Sequence, residues 1–263
     1  MLDPKKKYLQ IALNSTLDEA QEIISKLPVS DRILIEAGTP LIKRYGAEGI
    51  AAIKNWYWQK VTGVTPMISS RSSSYKYFGL TGLLLSALQK QKVKSKEIPK
   101  TNADFEPYVV ADLKCMDRGE TEVEIAANGG ANAAVALGHA PLETLDAFIQ
   151  NCKKSGVDSM IDMMNVDFPL TILRNLEELP QVVILHRGVD EEHFNKEKEI
   201  PFYEISRIKS EYEILIAIAG GDTFHEVQQA AFNDADIVVV WKSFYKSTAD
   251  TAKIADDFLK EIR

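Results

Sequence analysis

Residues 109–120 place ionisable side chains where a buried strand ends. Two valines begin the segment, and Asp112 and Lys114 follow at alternate positions, so both charged groups lie on one face of the predicted strand. A buried carboxylate and ammonium are costly unless they pair with each other or act on a ligand. Asp117 adds a carboxylate where the chain leaves the strand. The segment therefore indicates either a structural ion pair or a site that moves protons or stabilises an enolate.

Further ionisable residues follow other apolar runs. Glu36 and Asp112 end adjacent predicted strands and could together bind one hard divalent cation, with room left for water and substrate oxygens. Such an ion would polarise a carbonyl or hold an enediolate. His186 is the natural acid–base candidate because it exchanges a proton near neutral pH. Lys114 supplies fixed positive charge beside a developing oxyanion.

The elements that must bring these residues together alternate along most of the chain. Short apolar runs predict strands over residues 9–13, 33–37, 108–113, 133–137, 158–163, 182–185, 214–219 and 237–241. Amphipathic segments over residues 17–27, 120–128, 142–155, 170–179, 223–231 and 249–262 predict helices between most of them. This alternation predicts an α/β fold, a parallel (β/α)8 TIM barrel, with an open doubly wound sheet as the alternative. No Gly-x-Gly-x-x-Gly follows the first strand, which argues against a dinucleotide-binding sheet.

In such a barrel the active site forms at the carboxyl ends of the strands. Nearly all of the predicted strands end in polar residues or glycine: Asn14, Glu36, Asp112 with Lys114, Asp162 with Asn165, His186 with Arg187, Gly220 with Gly221, and Trp241 with Lys242. Each of these has an ordinary structural explanation when it is taken alone. Their convergence on one rim predicts an active site.

Two segments are candidates for contact with a phosphate group. Gly220-Gly221 precedes a helix predicted to begin near Asp222, where backbone amides can face an anion. A glycine pair is also common in ordinary turns. A serine-rich loop around Arg71 offers a second contact of this kind, although a solvated loop is the simpler interpretation.

Length and composition narrow the class of protein. Of the 263 residues, 45% are hydrophobic and 26% are charged, which is typical of a globular chain with one large domain or two small ones. The net charge of -7 argues against general nucleic-acid binding, and no apolar run reaches the roughly 20 residues that a membrane span needs. Cys115 and Cys152 form no metal-ligand motif, which fits a reducing cytoplasm.

One stretch is too long for a single crossover between strands. After the second predicted strand come an aromatic helical segment at residues 55–59, a serine-rich loop, an apolar helix at 80–91 and a polar stretch at 92–105. We therefore predict one barrel domain over residues 1–263, with an insertion at about 55–106 between strands two and three. Its aromatic and leucine content favours packing against the barrel or a partner subunit over a disordered tail.

Six segments in a fixed order identify a family. They are residues 9–14, the segment Glu-Ala-Gly-Thr-Pro-Leu-Ile-Lys at 36–43, Asp112-x-Lys114-x-x-Asp117-x-Gly119-Glu120, and residues 162–166, 185–190 and 219–221. With them the chain resembles the orotidine monophosphate decarboxylase superfamily, in its branch of hexulose-6-phosphate synthase and 3-keto-L-gulonate-6-phosphate decarboxylase. The likeness covers roughly residues 8–46 and 107–262.

The resemblance implies a TIM barrel that dimerises, with Asp117 reaching into the partner's site. It also implies Mg²⁺ held by Glu36 and Asp112, an enediolate intermediate, and His186 as the proton carrier. Val189 stands where the gulonate decarboxylase has an arginine, which favours the synthase reaction, the reversible aldol addition of formaldehyde to D-ribulose 5-phosphate. The catalytic residues expected on this basis are Asp112, Lys114, Asp117 and His186, and the substrate-binding residues are Asn14, Glu36, Asp162, Arg187, Gly220, Gly221 and Lys242.

Two positions depart from the family pattern. The first strand ends in Asn14 rather than aspartate, which removes a charge from the substrate hydroxyl site. The eighth strand is followed by Trp241-Lys242 rather than Gly-Arg, so a positive charge remains without the forked guanidinium geometry. Two alternatives to the synthase stay open: a decarboxylase acting on a β-keto sugar acid phosphate, and a barrel that binds a sugar phosphate without catalysis.

Overall fold

The computed structural model describes residues 1–63 and 105–262, which form a closed barrel of eight parallel strands in the order β1 to β8. The strands are β1 (Tyr8–Leu13), β2 (Ile33–Ala37), β3 (Tyr108–Cys115), β4 (Ala133–Leu137), β5 (Asp158–Asp162), β6 (Val182–His186), β7 (Leu215–Ala219) and β8 (Ile237–Val240). The barrel closes where β1 pairs with β8 in parallel. The predicted TIM barrel is confirmed, and the open sheet is excluded.

Helices follow the strands around the outside of the barrel. In the described residues they are α1 (Leu17–Lys26), α2 (Thr39–Thr62), α3 (Gly119–Asn128), α4 (Leu142–Ser155), α5 (Pro169–Asn175), α6 (Val189–Phe194), α7 (Tyr203–Lys209), α8 (Phe224–Phe232), α9 (Lys242–Lys246) and α10 (Thr251–Glu261). None of them is both long enough and apolar enough to cross a membrane. The short helices α6 and α7, between β6 and β7, were not predicted from the sequence.

Side-chain alternation along the strands separates two apolar regions. On β1, Leu9, Ile11 and Leu13 face the helices and belong to the larger core between sheet and helices. The residues between them face the barrel interior, where Ala12 packs with a second group of apolar side chains that includes Val135 and Val239. Interior positions at the carboxyl end of the strands are therefore the ones left free for polar side chains.

β3 is the irregular strand of the barrel. Its register with β4 shifts between Ala111 and Cys115, and Lys114 has a left-handed backbone with φ of 51°. Two extra residues accommodated in this way form a bulge that changes where the following side chains point. The strand consequently extends to Cys115, beyond the predicted end at Leu113.

The predicted insertion boundary at residue 55 falls inside α2. Tyr57 and Val61 of this helix are buried in the outer core, and the Tyr57 hydroxyl donates to the carbonyl oxygen of Ile33 at 2.8 Å. The helix ends at Gly63, which has a left-handed backbone. Residues 55–62 are therefore part of the crossover helix. The predicted loop around Arg71 and the predicted helix at 80–91 lie outside the described residues.

Candidate active site

A cavity of about 590 Å³ opens at the carboxyl ends of the strands. The predicted site residues that line it are Asn14, Glu36, Asp112, Lys114, Asp162, His186 and Gly220. They come from the loop after β1, from β2, β3, β5 and β6, and from the loop after β7, so residues far apart in sequence share one mouth. This is the end of a TIM barrel at which active sites form.

Asp162 is the centre of a charged network in this cavity. Its Oδ2 atom accepts from Lys114 Nζ at 2.6 Å and from His186 Nδ1 at 2.8 Å. Lys114 Nζ also lies 3.0 Å from Asp112 Oδ2, which in turn accepts from the Thr39 hydroxyl at 2.8 Å. The Asp162 side chain is 1% exposed. The predicted ion pair between Asp112 and Lys114 at the end of β3 is thus part of a larger network.

Mutual attraction fixes the charge states of the network. Burial alone would raise the pKa of Asp162, but attraction to His186 and Lys114 outweighs it and holds that pKa well below its usual range. Burial alone would lower the pKa of Lys114, but Asp112 and Asp162 raise it above its usual value. For His186, burial is likewise outweighed by Asp162, so the pKa of the imidazole is raised. The Asp162 carboxylate therefore stabilises a protonated His186.

Glu36 occupies a different electrostatic environment. Burial, followed by repulsion from Asp112, raises its pKa to about 7, although Lys114 and a hydrogen bond from Gln10 oppose the shift. Gln10 Nε2 donates to Glu36 Oε2 at 2.5 Å. Near neutral pH this carboxyl group is consequently divided between its protonated and ionised forms.

The residues present fit a magnesium ion. Glu36 and Asp112 are buried carboxyl groups on adjacent strands, and the repulsion that raises the pKa of Glu36 is the kind that a bound cation relieves. Within the described residues, no group of three or more His, Cys, Asp or Glu side chains could hold a metal. Mg²⁺, however, is usually held by one or two carboxylates with water and substrate oxygens.

The corner between β7 and β8, where phosphate binding was predicted, is occupied by the chain's own carboxylates. Asp222 Oδ1 accepts from the backbone N–H groups of Trp241 and Lys242 at 2.7 and 3.0 Å. Lys242 Nζ forms an ion pair with Glu192. Gly220 lines the cavity here with φ of 90°, and a Cβ atom on it would lie 2.1 Å from the Arg187 carbonyl oxygen. The predicted helix after Asp222 is α8.

Several predicted residues lie outside the cavity lining. Arg187 donates to Glu226 Oε1 at 2.7 Å and to the Gly220 carbonyl at 2.6 Å. Gly221 packs against Glu226 instead of lining the cavity. Asp117 is exposed two residues before α3, where its carboxylate accepts from the Arg118 amide at 2.8 Å. The substrate role of Arg187 and Gly221 and the cross-subunit role of Asp117 stay predictions.

The two departures from the family pattern both face the cavity. Asn14 packs so closely over Gly38 that a Cβ atom there would lie 1.9 Å from Asn14 Oδ1. Trp241 lines the cavity together with Gly220, and its ring centre lies 5.7 Å from Lys242 Nζ. The indole thus fills part of the corner that glycine would leave open.

Gln10 and Thr39 are site residues that the motifs did not single out. Both line the cavity and bind its carboxylates. A signal for Gln10 exists in the sequence, because it alternates with Ala12 on β1 and with Asn14 directly after the strand, and so shares their face. For Thr39 the signal is its place inside the diagnostic segment at residues 36–43.

Comparison with known proteins supplies independent information. The family model described as Orotidine 5'-phosphate decarboxylase / HUMPS family matches residues 89–257. The bifunctional enzyme Fae/Hps of Methanothrix thermoacetophila is 33% identical over 258 residues, covering 97% of this chain and 53% of the relative. The bifunctional enzyme Fae/Hps of Methanocaldococcus jannaschii is 32% identical over 256 residues, with coverage of 97% and 52%. The chain thus spans about half the length of the curated relatives it matches.

Solved structures show the same architecture. A crystal structure of 3-hexulose-6-phosphate synthase from Salmonella typhimurium has a TM-score of 0.69 and 25% identity, and the match covers 97% of this chain and 98% of that one. KGPDC from Streptococcus mutans has a TM-score of 0.64 and 15% identity, with coverage of 98% and 99%. At the latter identity the likeness concerns the fold alone.

Proposed function

Because the chain belongs to the orotidine 5'-phosphate decarboxylase / HUMPS family, we propose that it is a lyase similar to 3-hexulose-6-phosphate synthase. Its reaction is the reversible aldol addition of formaldehyde to D-ribulose 5-phosphate through an enediolate. The observation that carries the proposal is the network of Asp112, Lys114, Asp162 and His186 in one cavity beside Glu36. Such a network supplies both the proton carrier and the positive charge that an enediolate requires.

His186 is the proposed proton carrier. Its Nδ1 atom is fixed by Asp162, which leaves Nε2 to act on the ketose. Neutral His186 takes a proton from C1, and the electron pair of the broken C–H bond becomes the enediolate. The enediolate carbon then forms the new bond to formaldehyde, and the proton returns from Nε2 to the formaldehyde oxygen. Asp162 favours this cycle because it stabilises the imidazolium that exists while the enediolate is present.

Lys114 and the two cavity carboxylates complete the proposed site. The ammonium group of Lys114, held between Asp112 and Asp162, places positive charge beside the enediolate oxygens. Magnesium held by Glu36 and Asp112 would polarise the ketose oxygens. Asp117 is proposed to act on the site of a second copy in a homodimer, since it lies outside the cavity of its own chain.

The decisive experiment follows formaldehyde consumption with D-ribulose 5-phosphate and magnesium. We expect turnover by the wild type and a loss of about 10²- to 10⁴-fold in kcat for His186→Ala, the range for removal of a general acid–base. His139→Ala is the matched control, because His139 is exposed and its Nε2 lies 2.8 Å from the Asn165 carbonyl oxygen. No formaldehyde consumption by the wild type, or equal losses in the two variants, would contradict the proposal.

A further inference from the structure

Gln10 lies one layer deeper in the barrel than the charged network. It pairs with Leu34 on β2 and Val239 on β8, whereas Glu36 pairs with Ala12. Gln10, Ala12 and Glu36 all line the cavity. On β1, the level of Glu36 is occupied only by the small side chain of Ala12. The amide therefore reaches the floor of the cavity from below the level of Glu36.

The floor around this amide is apolar. Val135, Ile184 and Val239 line it from three other strands. Gln10 is 1% exposed, and its Oε1 atom has no hydrogen-bond partner in the part of the chain that the structure describes. A buried carbonyl oxygen without a donor has lost its hydration without compensation. Such an atom in an apolar floor is suited to a ligand that donates a hydrogen bond.

Glu36 fixes which way the amide faces. Gln10 Nε2 donates to Glu36 Oε2 at 2.5 Å, and rotating the amide by half a turn would set two oxygens against each other whenever Glu36 is ionised. Oε1 is thus the acceptor of the amide that is left without a donor, on a side chain that lines the cavity. Neither the acid–base role of His186 nor the cation site of Glu36 and Asp112 uses this atom.

We infer that Gln10 determines substrate specificity by accepting a hydrogen bond from the C1 hydroxyl of a ketose phosphate. This inference rests on the substrate class of the proposed function. A phosphate dianion stays at the open rim because it loses least hydration there. The carbon chain then runs towards the floor, and its unphosphorylated end reaches Gln10. A ligand without the C1 hydroxyl leaves Oε1 unpaired, which a hydrogen-bonding site rejects strongly.

Calorimetric binding of two ligands in magnesium-containing buffer tests the inference. The probes are D-ribulose 5-phosphate and its 1-deoxy analogue. The wild type is expected to bind the first at least about tenfold more tightly, equivalent to about 1.4 kcal/mol. Gln10→Met, which keeps the length of the side chain without its oxygen, is expected to bind both equally. Val239→Ala changes the same floor without removing an acceptor, and it is expected to keep the preference.

The outcomes separate this inference from the proposed function. Equal binding of both ligands by the wild type overturns the inference, and this measurement needs no variant to fold. A preference that persists in Gln10→Met overturns it as well, since a purely structural role leaves discrimination unchanged. Preference without formaldehyde turnover refutes the synthase reaction alone, while turnover without preference refutes the inference alone. A wild type that binds neither ligand refutes both.

Discussion

Replacing Asp162 with asparagine removes the charge on which the network depends. The substitution keeps the shape of the side chain but takes the anionic partner from both Lys114 and His186. Lys114 retains Asp112 at 3.0 Å, whereas His186 keeps no ion-pair partner in the described residues. Asp162→Asn therefore isolates what a single buried carboxylate contributes to stability and to the protonation of His186.

The expected loss of stability is substantial. Removing one partner of a buried ion pair costs about 3–5 kcal/mol, and the lower end applies here because His186 can release its proton and Lys114 keeps a second carboxylate. A loss of about 3 kcal/mol corresponds to a fall in Tm of roughly 6–12 °C for a chain of this size. Urea unfolding followed by circular dichroism measures the free energy directly.

The loss of stability in Asp162→Asn also changes with pH, in a direction that the pKa of His186 determines. In the wild type the pKa of His186 is raised above its unfolded value, so its contribution to stability is fully present below about pH 6.5 and is lost as pH rises through the folded pKa. In Asp162→Asn, burial and repulsion by Lys114 lower that pKa, so the variant loses stability on acidification. We expect the difference in unfolding free energy to be larger at about pH 5.5 than at about pH 8.5.

Two results would refute this reasoning. One is a loss of less than about 1 kcal/mol, which is the range of exposed pairs. The other is a His186 pKa, followed by NMR of the imidazole protons, that does not fall in the variant. Asp167→Asn is the matched control, because Asp167 is exposed on the loop after β5 and its replacement changes the net charge equally.

Three further substitutions test other parts of the site. Glu36→Gln is expected to weaken Mg²⁺ binding, measured by calorimetry, by about tenfold or more because one of two carboxylates is lost; unchanged binding would refute the metal assignment. Asp222→Ala is expected to tighten the binding of inorganic phosphate, because the substitution frees the amides of Trp241 and Lys242. Asp190→Ala, which removes an exposed charge, is the control. Weaker phosphate binding by Asp222→Ala than by this control would contradict the prediction. A mixture of the Asp117→Ala and His186→Ala variants is expected to regain activity if each active site uses residues of both chains. A mixture without activity would exclude an active site shared between chains.

The hydrophobic periodicity of the sequence predicts most of the fold. β2 and β4 run over the predicted residues because their apolar runs are bounded by turn residues. β3 extends further than predicted because its bulge depends on a left-handed Lys114, and lysine carries no signal for that backbone. α6 and α7 were missed because neither is longer than two turns and such segments show little periodicity.

The site was predictable where topology alone determines proximity. Glu36, Asp112, Lys114, Asp162 and His186 converge because parallel strands bring their carboxyl ends to one rim, and the family predicted from their motifs is confirmed. The hydrogen-bond partner that each side chain selects was not predictable in the same way. Arg187 turns to Glu226 because the first turn of α8 presents that carboxylate, and a contact between residues so far apart in sequence has no local signature.

Because the corner between β7 and β8 is already filled, the binding free energy of a phosphate group there depends on the contacts that it displaces. Asp222 already accepts from the amides of Trp241 and Lys242, and Glu192 already neutralises the Lys242 ammonium. A phosphate group entering there exchanges one set of hydrogen bonds for another, so its net binding free energy is only the difference between the two sets. Burial raises the pKa of Asp222 despite both amides, because the buried carboxylate has lost part of its hydration. Moving the Asp222 carboxylate into water would restore its hydration. The corner can therefore bind phosphate by exchange with Asp222.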